Sequence, residues 1–162
     1  MVTRALTEAG VLAALDEVMD PEIPSCSVVD LGIVERVAVT GDAVEVDLLP
    51  TFSGCPALDV IGRDVARAVE QLGARTQVRW VRTRPWTTDR ITERGRARLA
   101  EYGIAPPGSP VVVELGRPDP IACPYCGARA TEEQSAFGPT PCRAIRYCPA
   151  CRNPFEAFKP KG

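Results

Sequence analysis

The chain has 162 residues, of which 45% are hydrophobic, and carries a formal net charge of −2. This length suits one domain, or one domain with a small module, and the apolar content is sufficient for a hydrophobic core. The sequence contains no histidine, which excludes Ser-His-Asp and Cys-His catalytic pairs, HExxH metalloproteases and any acid–base role for imidazole. A metal site must therefore be built from thiolates or oxygens.

The charges are unevenly distributed along the chain. Residues 1–60 contain 2 basic and 11 acidic side chains, a balance of −9, whereas residues 61–100 contain 10 arginines and 4 acids, a balance of +6. A basic segment can bind nucleic acid or an acidic partner. The acidic pI of 5.3 favours a solvated helix face over a nucleic-acid surface.

Two observations bear on the compartment. No apolar run approaches the roughly 18 residues that a membrane span requires, and the N-terminal MVTRALTEAG lacks the apolar core of a signal peptide. We therefore expect a cytoplasmic protein without a membrane segment. In that compartment its seven cysteines should be thiols or metal ligands rather than disulfides.

The N-terminal third predicts a helix followed by a hairpin. Residues 7–19 place apolar side chains at helical spacing, and Pro21 is expected to end that helix. The apolar positions of this helix are Val11, Leu12, Leu15, Val18 and Met19. Residues 33–40 and 43–51 then predict two strands joined at Gly41, because apolar and polar residues alternate in the second run.

A second helix is predicted to begin at Pro56, where the missing N–H of proline costs nothing. Gly73 is placed to end this helix. Its apolar positions are Leu58, Ile61, Val65, Val69 and Leu72. Residues 76–82 predict a third strand, and residues 87–103 predict a third helix.

The composition changes at Ile104. IAPPGSP has the Pro and Gly content of a linker, VVVEL predicts a short strand, and GRPDP is a second break. We therefore predict a first domain over 1–105, a linker over 106–120 and a second module over 121–162.

The tetrapeptide CPYC, residues 123–126, has two interpretations: a dithiol redox motif or one half of a zinc site. A second pair, CPAC at 148–151, completes a CxxC–x21–CxxC pattern, which is typical of a tetrahedral zinc site with four thiolates. A redox motif would follow a core strand and open a helix, whereas here RPDP precedes the first pair and GARATEEQS, which has no amphipathic pattern, follows it. The sequence therefore predicts zinc bound by Cys123, Cys126, Cys148 and Cys151.

Gly127 directly follows the first pair, where a residue at positive φ lets backbone amides turn towards sulfur. Zinc binding also explains how about 40 residues with little core could fold, because the binding energy becomes folding energy. A closed shell of four thiolates leaves no open coordination position, so this module is expected to hold a surface for a partner. Cys142 lies nearby in sequence and could replace a ligand, but we expect a packed or spare thiol.

Cys55, in TFSGCPA, is the candidate reactive thiol. A cysteine just before Pro56 is expected at a helix N-terminus, where unpaired N–H groups and the helix dipole favour a thiolate. Gly54 removes side-chain cover, so that a ligand could approach. A buried cysteine at a helix start is also often only a small hydrophobe. Asp20 and Glu22, in DPEIP, could lie alongside it, or could be solvated acids after a helix stop.

These residues carry a resemblance. MDPEIPSCSVVDLGIVERV, followed by TFSGCPALDVIGRDV, resembles the iron–sulfur cluster assembly domain family in its DPE loop, its DLG strand entry and its Thr-x-x-Gly-Cys-Pro helix start. This similarity spans about residues 8–82. With PWTTDRITERGRARLAEYGIAPP and the two CP-x-C pairs, the whole chain resembles the family of D components of the phenylacetyl-CoA epoxidase system.

The resemblance implies an α+β domain, with helices packed on a short mixed sheet, followed by a zinc β-ribbon. It implies an accessory role in aerobic phenylacetate catabolism, with the other epoxidase components as partners, especially the iron–sulfur reductase. It does not imply that this component performs the epoxidation, since a di-iron carboxylate centre uses Glu-x-x-His pairs and histidine is absent. Flavin and dinucleotide fingerprints are missing as well.

The resemblance also matches Cys55 to the family's cysteine, and Asp20 and Glu22 to its acidic loop. On this basis Cys55 is expected to bind iron or an iron–sulfur cluster transiently. Cys26 replaces an apolar residue of the family, and either packs or adds a second sulfur near Cys55. If each chain supplies one thiol, a bridging cluster predicts a homodimer. A purely structural role in the complex and a zinc-ribbon nucleic-acid module remain as alternatives.

Overall fold

The structure is a computed structural model, which describes residues 6–107 and 121–159. Contacts between Cα atoms divide the chain into two compact units, residues 1–86 and residues 87–162. Both units combine strands with helices, and the predicted α+β class is confirmed. No helix in the described ranges is long and apolar enough to cross a membrane.

The first unit contains two helices and five strands. Its helices are α1 (Glu8–Leu15) and α2 (Leu58–Glu70). Its strands are β1 (Met19–Asp20), β2 (Ile23–Ser27), β3 (Val34–Thr40), β4 (Ala43–Leu48) and β5 (Arg75–Trp80).

Strands β3, β4 and β5 form a mixed sheet in that order. The predicted hairpin is confirmed: β3 and β4 are antiparallel, and Gly41 takes the positive φ of 63° that the tight turn requires. Strand β5 returns parallel to β4 after α2, as a βαβ connection does. This connection places the loop that carries Cys55 between the end of β4 and the start of α2.

Helix α2 covers one face of the sheet. Ile61, Val65 and Val69 are buried on its inner side, in agreement with the predicted helical spacing. Gly62 faces β5, since a Cβ atom there would lie 3.4 Å from Trp80 Nε1, an ordinary contact distance. Gly73 has a φ of 82° directly after the helix, as predicted for a C-terminal glycine.

Both helices are shorter than predicted. Helix α1 ends at Leu15, well before Pro21, because the Asp16 carboxylate accepts a hydrogen bond from Ser27 Oγ at 2.8 Å and Met19 pairs with Ser27 in the β1–β2 ladder. Helix α2 begins at Leu58 rather than at Pro56. Three side chains predicted to face the core are instead about 40% exposed: Leu12, Met19 and Leu72.

The second unit contains a 3₁₀ turn, one helix and four strands. The turn is Thr88–Arg90, and the helix is α3 (Glu93–Glu101). The strands are β6 (Ile104–Ala105), β7 (Glu132–Ser135), β8 (Arg143–Cys148) and β9 (Asn153–Phe158). They form one sheet in the order β6-β9-β8-β7.

Strand β6 pairs in parallel with β9, and Ala105 belongs to the same small core as the buried ribbon cysteines. The structure therefore places α3 and β6 in the compact unit that contains the ribbon. Most of the predicted linker, including the predicted strand VVVEL, lies outside the described residues. The predicted domain boundaries at 105 and 120 stay a prediction.

Candidate metal and cluster sites

The four tail cysteines converge on one point. The Sγ atoms of Cys123, Cys126, Cys148 and Cys151 all lie within 4.8 Å of one another. The Cys123–Cys151 and Cys126–Cys148 sulfur pairs are 3.7 and 3.6 Å apart. A tetrahedral zinc ion with Zn–S bonds of about 2.3 Å requires sulfur–sulfur distances of about 3.8 Å. The sulfur positions therefore fit zinc.

Two matching turns bring these sulfurs together. After the first pair, Gly127 has a φ of 75° and donates its N–H to the Cys123 carbonyl at 2.9 Å. After the second pair, Arg152 has a φ of 60° and donates its N–H to the Cys148 carbonyl at 2.8 Å. The sequence indicated the turn at Gly127 but not the one at Arg152. The sequence signal for this second turn was that Arg152 directly follows the second CxxC pair, as Gly127 follows the first.

The ribbon sheet supports the site from one side. Cys148 ends β8 and pairs with Asn153, the first residue of β9. Cys123 and Cys148 are buried against Phe155 and Ala157. Two of the four ligands are thus part of the packed core of the ribbon.

The pKa values of the Cys126 and Cys151 thiols are shifted in opposite directions. A hydrogen bond from the Ala128 backbone lowers the pKa of Cys126, but contacts with the sulfur of Cys148, burial and the remaining sulfurs outweigh it and raise the pKa to about 12. Burial raises the pKa of Cys151, but hydrogen bonds from Asn153 and from neighbouring thiols lower it to about 7. A divalent cation removes this inequality, since it favours the thiolate at every ligand.

The tail cysteines form a structural zinc site. All four positions of a tetrahedral shell are filled by protein thiolates, so the ion has no open position for a substrate. Cys142 lies outside this group and contacts the Thr140 hydroxyl at 3.3 Å. This location agrees with the expected packed or spare thiol.

Cys55 lies in a turn between β4 and α2. Its N–H donates to the Phe52 carbonyl at 3.1 Å, and its own carbonyl accepts from Leu58 N at 3.4 Å. The thiol is partly exposed, rather than enclosed in the core. The N-cap position of α2 is Ala57, so Cys55 precedes the cap instead of occupying it.

The acidic loop has a clear local function. Asp20 is buried, and its Oδ1 accepts hydrogen bonds from the N–H groups of Glu22 and Ile23 at 2.7 and 3.0 Å. This Asx turn shapes the DPE loop, while Glu22 is exposed. Cys26 is fully buried, with Sγ 3.7 Å from Ser25 Oγ, as expected for a packing residue.

The candidate iron ligands of the first unit are not gathered into a cage. In residues 6–107 and 121–159, the tail cysteines are the only group of three or more Cys, Asp or Glu side chains placed to hold a metal ion. Cys55, Asp20 and Glu22 do not form a second such group. The described residues therefore supply no complete ligand set for a cluster at Cys55.

Arg79 of the basic segment and Arg36 of the first 60 residues share the same two acids of the mixed sheet. Arg36 and Arg79 each donate Nε to Asp47 at 2.9 Å and reach Glu45 Oε2 at 3.0 and 3.2 Å. The face of the mixed sheet that carries these four residues is thus paired internally.

Two further arginines are paired at the edges of the first unit. Arg75 binds Asp42, with Nη2 2.7 Å from Oδ1, and Arg84 binds Glu35, with Nη2 2.8 Å from Oε2. Arg75, Arg79 and Arg84 of the basic segment are therefore each paired with an acid from the first 60 residues.

Comparisons with known proteins assign both parts of the chain. Residues 8–80 match the family described as iron-sulfur cluster assembly protein, and residues 107–159 match the PaaD zinc beta ribbon domain. The chain is 39% identical over 149 residues to an Escherichia coli (strain K12) protein named as the D component of 1,2-phenylacetyl-CoA epoxidase. This match covers 91% of this chain and 89% of that protein. The chain belongs to the PaaD family of phenylacetyl-CoA epoxidase components.

Relatives outside the PaaD family share its N-terminal part. The Fe-S protein maturation auxiliary factor YitW of Bacillus subtilis (strain 168) is 30% identical over 92 residues, covering 55% of this chain and 89% of that protein. A crystal structure of a DUF59 domain from Bacillus anthracis superimposes with a TM-score of 0.53 at 27% identity, covering 57% of this chain and 90% of that one. The resemblance inferred from the DPE, DLG and Gly-Cys-Pro motifs is confirmed.

Proposed function

We propose that this protein is an accessory subunit of the phenylacetyl-CoA ring epoxidase system in aerobic phenylacetate catabolism. In this proposal it assists iron or iron–sulfur cluster maturation of the oxygenase and reductase components and performs no epoxidation itself. One observation carries the proposal. A single chain of the PaaD family joins an iron–sulfur assembly domain to a zinc ribbon, and its relatives with the first part alone include a maturation auxiliary factor.

The two parts have different sulfur chemistry. The ribbon cysteines occupy a closed shell, so their role is to hold the ribbon and its surface for a client. Cys55 is partly exposed in a loop and is the proposed transient ligand of iron or of a cluster. Asp20 and Glu22 are the other residues of the proposed site, in which Asp20 fixes the loop and Glu22 supplies an exposed carboxylate.

A cluster requires more ligands than Cys55 provides. Iron–sulfur clusters are commonly held by four cysteine thiolates, and no second cage exists among the described residues. The remaining ligands would come from a second copy of the chain, in a homodimer, or from the client itself. The iron–sulfur reductase is the proposed client. A ligand set shared between proteins suits a cluster that is passed on.

A structural docking role is the second candidate. It is favoured by the position of Cys55 outside any metal cage formed by the described part of the chain. In that case the thiol would be inert, and only the ribbon and the sheet surfaces would matter to the complex.

A substitution at Cys55 separates the two candidates. We would express the epoxidase components with the wild-type chain, with Cys55→Ser, or with Cys142→Ser as a matched control, since Cys142 is also partly exposed and lies outside the zinc cage. Maturation predicts that Cys55→Ser lowers the iron and sulfide content of the reductase several-fold, while Cys142→Ser leaves it unchanged. Reductase cluster content is measured by chemical analysis and visible absorbance after anaerobic purification.

The zinc content of each purified variant is the internal control. One zinc per chain is expected for the wild type and for both variants, because neither residue is a zinc ligand. Any iron that accompanies the wild-type chain should depend on Cys55. Full cluster content with Cys55→Ser would leave the docking role in place and refute the maturation role.

The third candidate, a nucleic-acid-binding ribbon, has less support. Arg36, Arg75, Arg79 and Arg84 are each paired with a carboxylate, so they are poorly placed to neutralise phosphates. Binding that weakens steeply with rising salt would favour this candidate over the other two.

A further inference from the structure

Phe137 is an exposed aromatic side chain of the second unit. It lies between β7 and β8 and is 84% exposed, compared with 57% for Tyr125 and 51% for Tyr102 in the same unit. An isolated exposed hydrophobic residue is ordinary. Phe137 differs from an ordinary exposed residue because hydrogen bonds hold the backbone around it.

The residues on either side of Phe137 are tightly held. Ser135 Oγ accepts a hydrogen bond from Phe137 N–H and donates to the Phe137 carbonyl, both at 3.0 Å. Gly138 donates its N–H to the Arg143 carbonyl at 3.0 Å, and a Cβ atom at Gly138 would lie only 2.8 Å from that oxygen. The loop is therefore packed against the first residue of β8.

A buried arginine anchors the far side of the same loop. Arg143 is 5% exposed, donates Nε to Thr140 Oγ1 at 2.7 Å and places Nη1 2.5 Å from Glu156 Oε2 on β9. The Lys159 N–H also donates to the Cys142 carbonyl at 3.0 Å. Contacts with β8 and with the residue that follows β9 thus hold the loop in place, while the Phe137 ring projects into solvent.

A positive charge accompanies the ring. Lys159 Nζ lies 5.3 Å from the centre of the Phe137 ring, within the range of a cation–π contact. A partner that receives the ring must also meet this ammonium group. An apolar pocket with a carboxylate beside it would bind the Phe137 ring and pair with the Lys159 ammonium group. A basic or wholly apolar surface would leave the Lys159 charge unpaired when water is removed.

We propose that Phe137 and Lys159 form the anchor by which the ribbon docks on a protein client, inserting the ring into an apolar pocket that has an acidic rim. A rigid aromatic side chain loses little conformational freedom on binding, and such anchors carry much of the affinity of an interface. This inference rests on the proposed function, because it takes the client to be another component of the epoxidase system. One ring and one ammonium group are too small a set for stable membrane anchoring.

The test measures binding of the full-length, zinc-loaded chain to the purified reductase and oxygenase components by biolayer interferometry. Phe137→Ala should raise the dissociation constant about tenfold or more, and Phe137→Trp should bind as tightly as the wild type. Lys159→Glu should weaken binding by several-fold, and more so at low salt. Tyr102→Ala, which removes another exposed aromatic ring of the same unit, is the matched control and should bind as the wild type does.

Two outcomes overturn the inference alone: unchanged binding by Phe137→Ala, or an equal loss with Tyr102→Ala. Preferential binding of the wild-type chain to anionic phospholipid vesicles, lost in Phe137→Ala, would assign the anchor to a lipid surface and overturn it as well. If the wild-type chain binds neither component, the docking part of the proposed function fails together with the anchor. Unchanged zinc content and thermal midpoint show that Phe137→Ala remains folded.

Discussion

The residues that follow the two CxxC pairs have the same backbone conformation but different side chains. Gly127 and Arg152 both have positive φ, at 75° and 60°. Glycine adopts this region without strain, whereas an L-residue with a Cβ atom is disfavoured there by about 1 kcal/mol. Arg152 is therefore held in its conformation by the hydrogen bond from its N–H to the Cys148 carbonyl and by the adjacent ligand Cys151.

This contrast predicts opposite effects of two substitutions. Gly127→Ala should lower the free energy of unfolding of the zinc-loaded ribbon by about 1 kcal/mol. The cause would be backbone strain alone, since a Cβ atom there meets nothing within 4 Å. Arg152→Gly should leave stability unchanged or raise it slightly. Both are measured by chemical denaturation at fixed zinc concentration, and a stabilising Gly127→Ala would contradict the assigned turn.

Asp47 is the acid on which the paired face of the sheet depends. Burial raises the pKa of Asp47, but hydrogen bonds from Arg79 and Arg36 outweigh burial and hold the pKa below its ordinary value of 3.8. A carboxyl group with a depressed pKa stabilises the fold above its unfolded-state pKa. It loses that contribution as the pH falls through the lower, folded-state pKa.

We therefore expect Asp47→Asn to cost about 1 kcal/mol at neutral pH, a value kept small because the Arg36 and Arg79 side chains are nearly half exposed. The difference from the wild type should shrink as the pH falls below 3.8. Asp42→Asn is the control, since Asp42 and its partner Arg75 are mostly exposed and should matter little. Urea denaturation across acidic to neutral pH, monitored by circular dichroism, measures both. A pH-independent difference would show that Asp47 acts through packing.

At the scale of elements, the ribbon and the mixed sheet are stabilised by different means. The sheet buries apolar side chains from β4 beneath α2, so the hydrophobic effect supports it. The ribbon packs a small core that includes two of its own metal ligands. Removing zinc therefore removes the main support of the ribbon while leaving the sheet intact.

Chelation, or Cys123→Ser, should accordingly unfold residues 121–159 while residues 8–80 stay folded. Hydrogen exchange followed by mass spectrometry should show loss of protection in β7, β8 and β9 but not in β3, β4 and β5, because metal binding energy is folding energy for this module. Lower pH should act in the same direction, since protons compete with zinc for the thiolates. Cys142→Ser is the matched control. Retained protection in β8 after chelation would contradict the structural role of the site.

At the scale of the whole molecule, charges separated in sequence meet within the first unit. The acidic first 60 residues and the arginine-rich segment that follows differ in charge balance by 15, from −9 to +6. The hairpin and the parallel return of β5 place Glu45 and Asp47 beside Arg79. Three arginines of the basic segment, Arg75, Arg79 and Arg84, are thus partners of acids from the first 60 residues.

The zinc site and the strand pattern could be predicted from the sequence by itself. Two CxxC pairs place four thiol ligands at the spacing of two tight turns. The alternation of apolar and polar residues along 43–48 indicates a strand with one buried face. Both signals are local and follow from backbone geometry. The family motifs around Asp20 and Cys55 are short and local too.

What only the tertiary structure decided depends on contacts between distant residues. The early end of α1 follows from the pairing of Asp16 and Met19 with Ser27, and the paired arginines follow from the order of the sheet. The position of Cys55 outside the one ligand cage of the described residues and the support of Phe137 by β8 and β9 likewise require the folded chain. Periodicity records which face of an element is apolar. It does not record which elements meet, because that is set by packing across the whole fold.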